Sequence, residues 1–351
     1  MSKKVKLVIS IIVLFCALFI LSFSYYMYQL GPTAKESEIV KVEIPKGSTG
    51  NNVALILENE GLIKSANIFK VYLKIHNIDN IGYGFYDLDK TMGVKHIIEV
   101  ITGNNALNVD ISITFKEGLN MRGIARIIEE NTNNSYDEIL DLLDNEEYID
   151  TLIDDYWFLT DEIKEKDIYY PLEGYLAPNT YRFLNKDVTI DEIFRKMLDQ
   201  TGKILDKYKD NIKGYTIHEF LTLASIVQSE GLKKDDMSDV ASVFYNRLED
   251  GMAFQSCPTA CYASKFDGLC VPANVNIKYN SPYNTYLSSM IGLPIGPISN
   301  PGEVAIEAAL NPSDTDYLYF LSDIDKKTYF FKHYEDHQAK KQELIRAGKW
   351  Y

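Results

Sequence analysis

The chain has 351 residues, enough for two or three domains and a real core. Its formal net charge of −14 argues against nucleic acid as a partner. Charged residues make up 25% and hydrophobic ones 46%, an ordinary globular mix that excludes a chain dominated by a disordered acidic tail.

Residues 1–6 carry Lys3, Lys4 and Lys6, and no further charge appears until Lys35. Residues 7–28 are apolar and long enough to cross a bilayer, which takes roughly 20 residues. Tyr25, Tyr26 and Tyr28 stand where an interfacial aromatic belt would, and the preceding lysines predict a cytoplasmic N-terminus. A cleaved signal peptide is the competing reading; the apolar run is long for one and no A-x-A site follows it. The expectation is therefore a cytoplasmic tail (1–6), a single-pass cell-membrane anchor (7–28), a linker (29–38) and an extracytoplasmic remainder.

Residues 39–108 read as a small α/β module. IVKVEIPKG alternates as a strand into a turn, and Asn52–Glu60, Asn67–Ile75 and 91–104 carry helical periodicity, the last with a Gly-Asn stop. A weak internal echo follows. Gly47 precedes Val53 and Ala54 by six and seven residues, as Gly118 precedes Ile124 and Ala125, which suggests a duplicated strand–turn–helix unit.

Residues 109–351 read as the main domain, with a strand at 109–115 and capping boxes at Ser135/Glu138 and Thr189/Glu192 that predict helices over 136–146 and 190–201. The turn-rich PLEGYLAPNTY (171–181) contains Glu173. The central stretch is TIHEFLTLASIVQSEG (216–231). Thr216 and Glu219 form a capping box and Gly231 is a natural stop. Phe220, Leu223, Ala224, Ile226 and Val227 recur at helical spacing, and Glu230 lies on the same face. Partial burial and the negative end of the helix both disfavour its anion and raise its pKa, the condition for a proton donor near neutral pH. The plainer alternative is a helix-end glutamate paired with Lys233, Lys234 or Arg247. A helix over 237–250 follows, then a Gly-, Pro-, Asn-, Ser- and Tyr-rich stretch from 251 to 302, long enough to suggest function. A helix from Glu303 to Ala309, a hairpin of 317–321 with 328–331, and a polar helix over 334–347 close the chain.

Cys257, Cys261 and Cys270 permit one disulfide with one free thiol, or three free thiols, and their spacing is not a usual zinc pattern. A cysteine nucleophile would need His333 or His337 beside it. No metal or cofactor is expected.

LASIVQSE, VASVFYNRL (240–248), GMAFQSCPT (251–259), YNTY (283–286), GLPIGPISNPG (292–302) and YLYFLSD (317–323), with PLEGYLAPNTY before them, occur in an order that resembles the MltG-type (YceG-like) endolytic murein transglycosylases over nearly the whole chain. The resemblance implies an α+β fold: an N-terminal transmembrane helix, a small LysM-like module at 39–108 and a catalytic domain at 109–351. It implies cleavage of the MurNAc-GlcNAc β-1,4 bond of nascent peptidoglycan strands with formation of 1,6-anhydro-MurNAc ends, Glu230 acting as acid and then base. Matching motif positions make Gln255, Thr259, Tyr283, Asn284, Asn246 and Glu173 candidate substrate-binding residues, with His333 a weaker one. Peptidoglycan synthases are the partners the resemblance implies. Two positions depart from the pattern: Cys257 and Asn179 stand where the family usually has acids. A bond from Cys257 to Cys261 or Cys270 would brace the loop in place of the missing carboxylate. Two other classes remain: a non-catalytic, membrane-anchored glycan-binding scaffold, and a conventional hydrolase with Glu173 as second carboxylate.

Overall fold

The computed structural model describes residues 3–45, 47–103, 111–212, 214–230, 233–268 and 270–350, with the side chains of 3–11 and 273 left out. Gly231, expected to stop the central helix, and residues 109–110 of the expected strand lie outside the described residues, as does the expected 108/109 boundary. The chain is a mixed α+β protein that divides into two compact units, residues 1–111 and 112–351.

In the first unit, helix α1 (Lys3–Gln29) contains an 18-residue window, Ile12–Gln29, apolar enough to cross a membrane and with none of it buried within the protein. Strand β1 (Ile39–Ile44) leads to helices α2 (Gly50–Asn59) and α3 (Ala66–Ile75), then strand β2 (Gly84–Asp89) and helix α4 (Val94–Thr102). The side chains of Thr49 and Ser65 cap α2 and α3 by accepting from the N–H groups of Asn52 and Ile68. β1 and β2 pair antiparallel from Ile39 opposite Asp89 to Ile44 opposite Gly84. The alternation of β1 turns Val42 and Ile44 inward onto Val53, Leu57, Phe69, Leu88, Ile97 and Ile101. β2 escaped the sequence reading because GFYDLD does not alternate: Phe85 and Tyr86 are neighbours and both are buried.

The second unit runs through strand β3 (Ile111–Phe115), helices α5 (Met121–Asn131), α6 (Tyr136–Leu143) and α7 (Glu146–Asp155), strand β4 (Asn179–Phe183), and helices α8 (Ile190–Tyr208), α9 (Ile217–Glu230), α10 (Met237–Glu249), α11 (Cys257–Ala263) and α12 (Glu303–Leu310). Strands β5 (Tyr319–Ser322) and β6 (Thr328–Phe331) form the expected antiparallel hairpin, and α13 (Tyr334–Arg346) follows. The single helix expected over 136–146 stops at Leu143, because Asn145 caps a new helix by accepting from the N–H of Tyr148. α8 runs past the expected end at 201, since Ile204 and Leu205 extend its buried face through Gly202.

α9 is the centre of this unit, packed by α10, α11 and α12. Its capping box forms as expected, with the Thr216 N–H donating to Glu219 at 2.9 Å and the Glu219 N–H to the Thr216 hydroxyl at 3.2 Å. Thr222, Ser225 and Ser229 lie on another face of α9 from the apolar stripe, and that face is not turned to solvent. Thr222 and Ser225 are buried, and their hydroxyls donate to the carbonyls of His218 and Thr222, as Ser229 does to Ser225. A helix buried all round needs its polar side chains satisfied internally, and these return their protons to the helix backbone.

Candidate active site

Glu230 ends α9, and as a residue it is only partly exposed. Burial pushes its carboxyl up to about 7, against the opposing pull of the Ser256 hydroxyl and the Arg247 guanidinium. A carboxyl with that pKa populates both its acid and its base form at neutral pH.

The groups around it come from well-braced elements. Arg247, on the last turn of α10, is buried; its Nε donates to the Leu318 carbonyl at 2.7 Å and its Nη1 to the carbonyls of Ala253 and Phe254. The guanidinium also lies 5.3 Å over the Tyr319 ring. These bonds hold a cation near Glu230 without neutralising it in a direct ion pair. Gln255 adopts a left-handed backbone (φ 48°), which turns the chain into Ser256. The Ser256 N–H donates to the Thr285 hydroxyl at 3.0 Å, and its carbonyl accepts from Thr259 at 2.7 Å. The Ser256 side chain is only 2% exposed, and its oxygen has no geometrically good hydrogen-bond partner.

Cys257 is a free thiol 3.1 Å from the Tyr286 hydroxyl. Burial, and then the nearby Glu230, raise the thiol pKa, which disfavours the thiolate. The disulfide joins Cys261 to Cys270, with Cα atoms 6.2 Å apart. The bond from Cys257 to either of them is therefore overturned: both sulfurs are used by each other, and Cys257 braces the loop through Tyr286 instead.

The other expected site residues divide into surface and interior. Gln255 is exposed. Asn246 is partly exposed, but its amide donates to the carbonyls of Thr315 and Tyr317, both at 2.9 Å, and ties α10 to the approach to the hairpin. Thr259, Tyr283 and Asn284 are 0% exposed. Thr259 shares its hydroxyl with Thr285 at 2.7 Å, and Asn284 donates to the carbonyls of Ile277 and Tyr279. All three are buried, with their polar groups bonded inside the protein, Tyr283 accepting at its hydroxyl from the Tyr169 N–H at 3.3 Å.

Glu173 is buried in the same way. It is 1% exposed, and its oxygens accept from the Met121 N–H (2.9 and 3.1 Å), the Tyr262 hydroxyl (3.0 Å) and the Asn300 amide (3.1 Å). Burial raises its pKa to about 8, against those bonds and nearby Arg122. It is a fully engaged internal hub with no free face for a substrate. No carboxylate is among the charged groups that shift Glu230.

His333 is exposed at the start of α13. His337, one turn later, is the histidine that faces inward, among the rings of Tyr319, Phe331 and Tyr334. Burial, then Lys341 and Arg247, lower its pKa, so it is neutral near pH 7. Of the charged partners the sequence offered for Glu230, Arg247 is the one that acts on it, while Ser256 was missed as a site member. A single serine in a Ser-rich turn carries no local signal of what it faces.

Two hollows of about 420 and 480 Å3 lie elsewhere. The first is lined by Tyr215, His218, Glu219 and Leu293, about three helical turns from Glu230 along α9. The second is lined by Thr114, Glu117 and Asn179. Among the described residues, no group of three or more His, Cys, Asp or Glu is placed to hold a metal ion.

The YceG-like family model matches residues 42–343. A curated relative from Bacillus subtilis (strain 168), named endolytic murein transglycosylase, is 36% identical over 329 residues, covering 92% of this chain and 90% of the relative. One of the same name from Streptococcus pneumoniae serotype 2 is 31% identical over 344 residues, covering 93% of this chain and 62% of the relative. A crystal structure of a YceG-like protein from Listeria monocytogenes is 35% identical, covers 87% of this chain and 100% of that chain, and superposes with a TM-score of 0.62.

Proposed function

The chain belongs to the YceG-like family, and from that premise we propose that it is an endolytic murein transglycosylase, held in the cell membrane by α1 with its N-terminus cytoplasmic and the rest outside. The observation that carries the reading is the Glu230 carboxyl: near-neutral in pKa, beside a fixed guanidinium, and with no second carboxylate acting on it.

In the first half of the reaction, protonated Glu230 gives its proton to the glycosidic oxygen between MurNAc and GlcNAc as the C1–O bond breaks through an oxocarbenium-like state. Arg247 eases this step by stabilising the carboxylate left behind, at a distance fixed by its backbone bonds. In the second half, the carboxylate takes the proton of the sugar's own C6 hydroxyl, whose oxygen bonds to C1. The product is a 1,6-anhydro-MurNAc end, Glu230 regains its proton and no water is consumed. One acid suffices because the attacking hydroxyl is already tethered to the sugar, so its effective concentration is high. Exposed Gln255 is the motif residue best placed to meet the glycan. The β1–α2–α3–β2 order supports the LysM-like, glycan-binding assignment of 39–108, ahead of a catalytic domain at 109–351, and peptidoglycan synthases are the natural partners of an anchored enzyme acting on new strands.

The test is digestion of purified peptidoglycan with mass spectrometry of the products. Wild type is expected to yield anhydro ends, and Glu230→Gln to yield none while keeping its thermal unfolding curve. Reducing ends would instead assign a hydrolase. Intact strands that still bind the protein would assign a scaffold.

A further inference from the structure

The segment after the apolar helix was expected to be a linker, 29–38. In the structure it is built into the first unit. The Val94 N–H donates to the Leu30 carbonyl at 3.0 Å, and the Thr33 and Ala34 N–H groups both donate to the Lys90 carbonyl at 3.1 Å. The Thr33 hydroxyl donates to the Gly61 carbonyl at 2.7 Å, and the Leu30 side chain packs on the module core. Lys64 donates to the Tyr28 carbonyl at 3.1 Å while its ammonium sits 3.8 Å over the Tyr28 ring. The fit leaves no slack, since a Cβ on Gly93 would stand 2.9 Å from the Leu30 carbonyl oxygen.

These contacts begin within the last turn of the span and continue without a break into the module. A flexible tether of that length would let the module range several ångströms to either side. Here the turn at 61–64 and the turn at 90–94 are fastened to the point where the apolar helix ends. The aromatic that Lys64 covers belongs to the tyrosine cluster suited to the headgroup layer.

We propose that α1 and the first unit form one rigid stalk, with the 61–64 and 90–94 turns seated on the lipid headgroup surface and Lys64 as the contact cation. The proposal rests on the reading of α1 as a membrane span. A stalk of this kind fixes the height of the glycan-facing module above the bilayer, where a tether would only bound it.

The experiment uses the full chain in nanodiscs of phosphatidylglycerol and phosphatidylcholine. Amide hydrogen exchange is expected to find Thr33, Ala34 and Val94 protected, with Gly93→Val speeding their exchange about tenfold or more while the α9 amides stay unchanged. Acetylation by a membrane-impermeant reagent is expected to modify Lys64 about tenfold more slowly than Lys74, an exposed lysine of α3. Unprotected amides at 33–34 in wild type overturn the stalk. Equal reactivity of Lys64 and Lys74 overturns its seat on the headgroups. Failure of the chain to enter nanodiscs at all removes the premise, and with it the proposal.

Discussion

The strand–turn–helix of β1 and α2 and that of β3 and α5 follow one local code and are used in different ways. Gly47 and Gly118 both take a left-handed backbone, at φ 85° and 79°. Two residues on, Thr49 and Asn120 cap the helix with their side chains. Val53, Ala54 and Leu57 are buried in the first, and Ile124, Ala125 and Ile128 at the same offsets in the second. The surroundings diverge. A Cβ on Gly47 would meet nothing within 4 Å, whereas one on Gly118 would meet the Gln228 side chain at 3.5 Å, two residues before Glu230. The Gly118 N–H donates to the Asn300 carbonyl at 2.9 Å, and Gln228 accepts from the Gly302 N–H at 2.9 Å. The first helix relies on its Thr49 cap, while the second also presents its Met121 N–H to the buried Glu173 carboxyl. A local motif sets the shape of such a unit; its neighbours decide whether it is a wall of a small module or a brace beside the helix that carries Glu230.

The sharpest way to separate the two units is to remove the hub that only the second possesses. Glu173→Ala leaves the Met121 N–H, the Tyr262 hydroxyl and the Asn300 amide without an acceptor, and is expected to cost about 3–5 kcal/mol in urea unfolding. The next effect is a pH dependence. The folded-state pKa values of Glu173 (about 8) and Glu230 (about 7) lie above the ordinary 4.5, so the folded protein holds both protons more tightly than the unfolded chain. That stability is whole below about pH 4.5 and is lost as pH rises through 7 and 8, by an amount on the order of a few kcal/mol. Thermal melts of Glu173→Gln, which cannot ionise, are expected to lose the upper part of that decline. A melting temperature flat from pH 5 to 9 in wild type would refute it.

Smaller effects follow at the turns. Gly47→Ala and Gly118→Ala each strain a left-handed residue, by about 1–2 kcal/mol. Only Gly118→Ala is expected to slow glycan cleavage as well, since its strained turn packs on Gln228, two residues before Glu230, and equal activities would show that the turn does not support Glu230. Thr49→Ala removes one cap at about 1 kcal/mol and is expected to leave turnover unchanged.

These differences mark how far the residues alone could be read. The echo was visible from Gly47 and Gly118 because turn chemistry and helical periodicity are local. That Glu173 would be a sealed hub was not, because its partners Met121, Tyr262 and Asn300 lie 52, 89 and 127 residues away. The Cys261–Cys270 pairing over Cys257 was hidden for another reason: all three lie close in sequence, and a disulfide is chosen by where the loop folds back and not by spacing.

By itself the chain order of residues determined the apolar first helix, the capped helices, the closing hairpin, and a glutamate at the end of an apolar helix. Each follows from steric and hydrogen-bonding preferences within about a dozen residues. Tertiary structure alone decided that Arg247 rather than Lys233 or Lys234 acts on Glu230, that Thr259, Tyr283 and Asn284 are buried, and that the segment after the span is fastened to its module. Those outcomes depend on which distant carbonyls and apolar faces meet, and burial then sets the charge state of whatever they enclose.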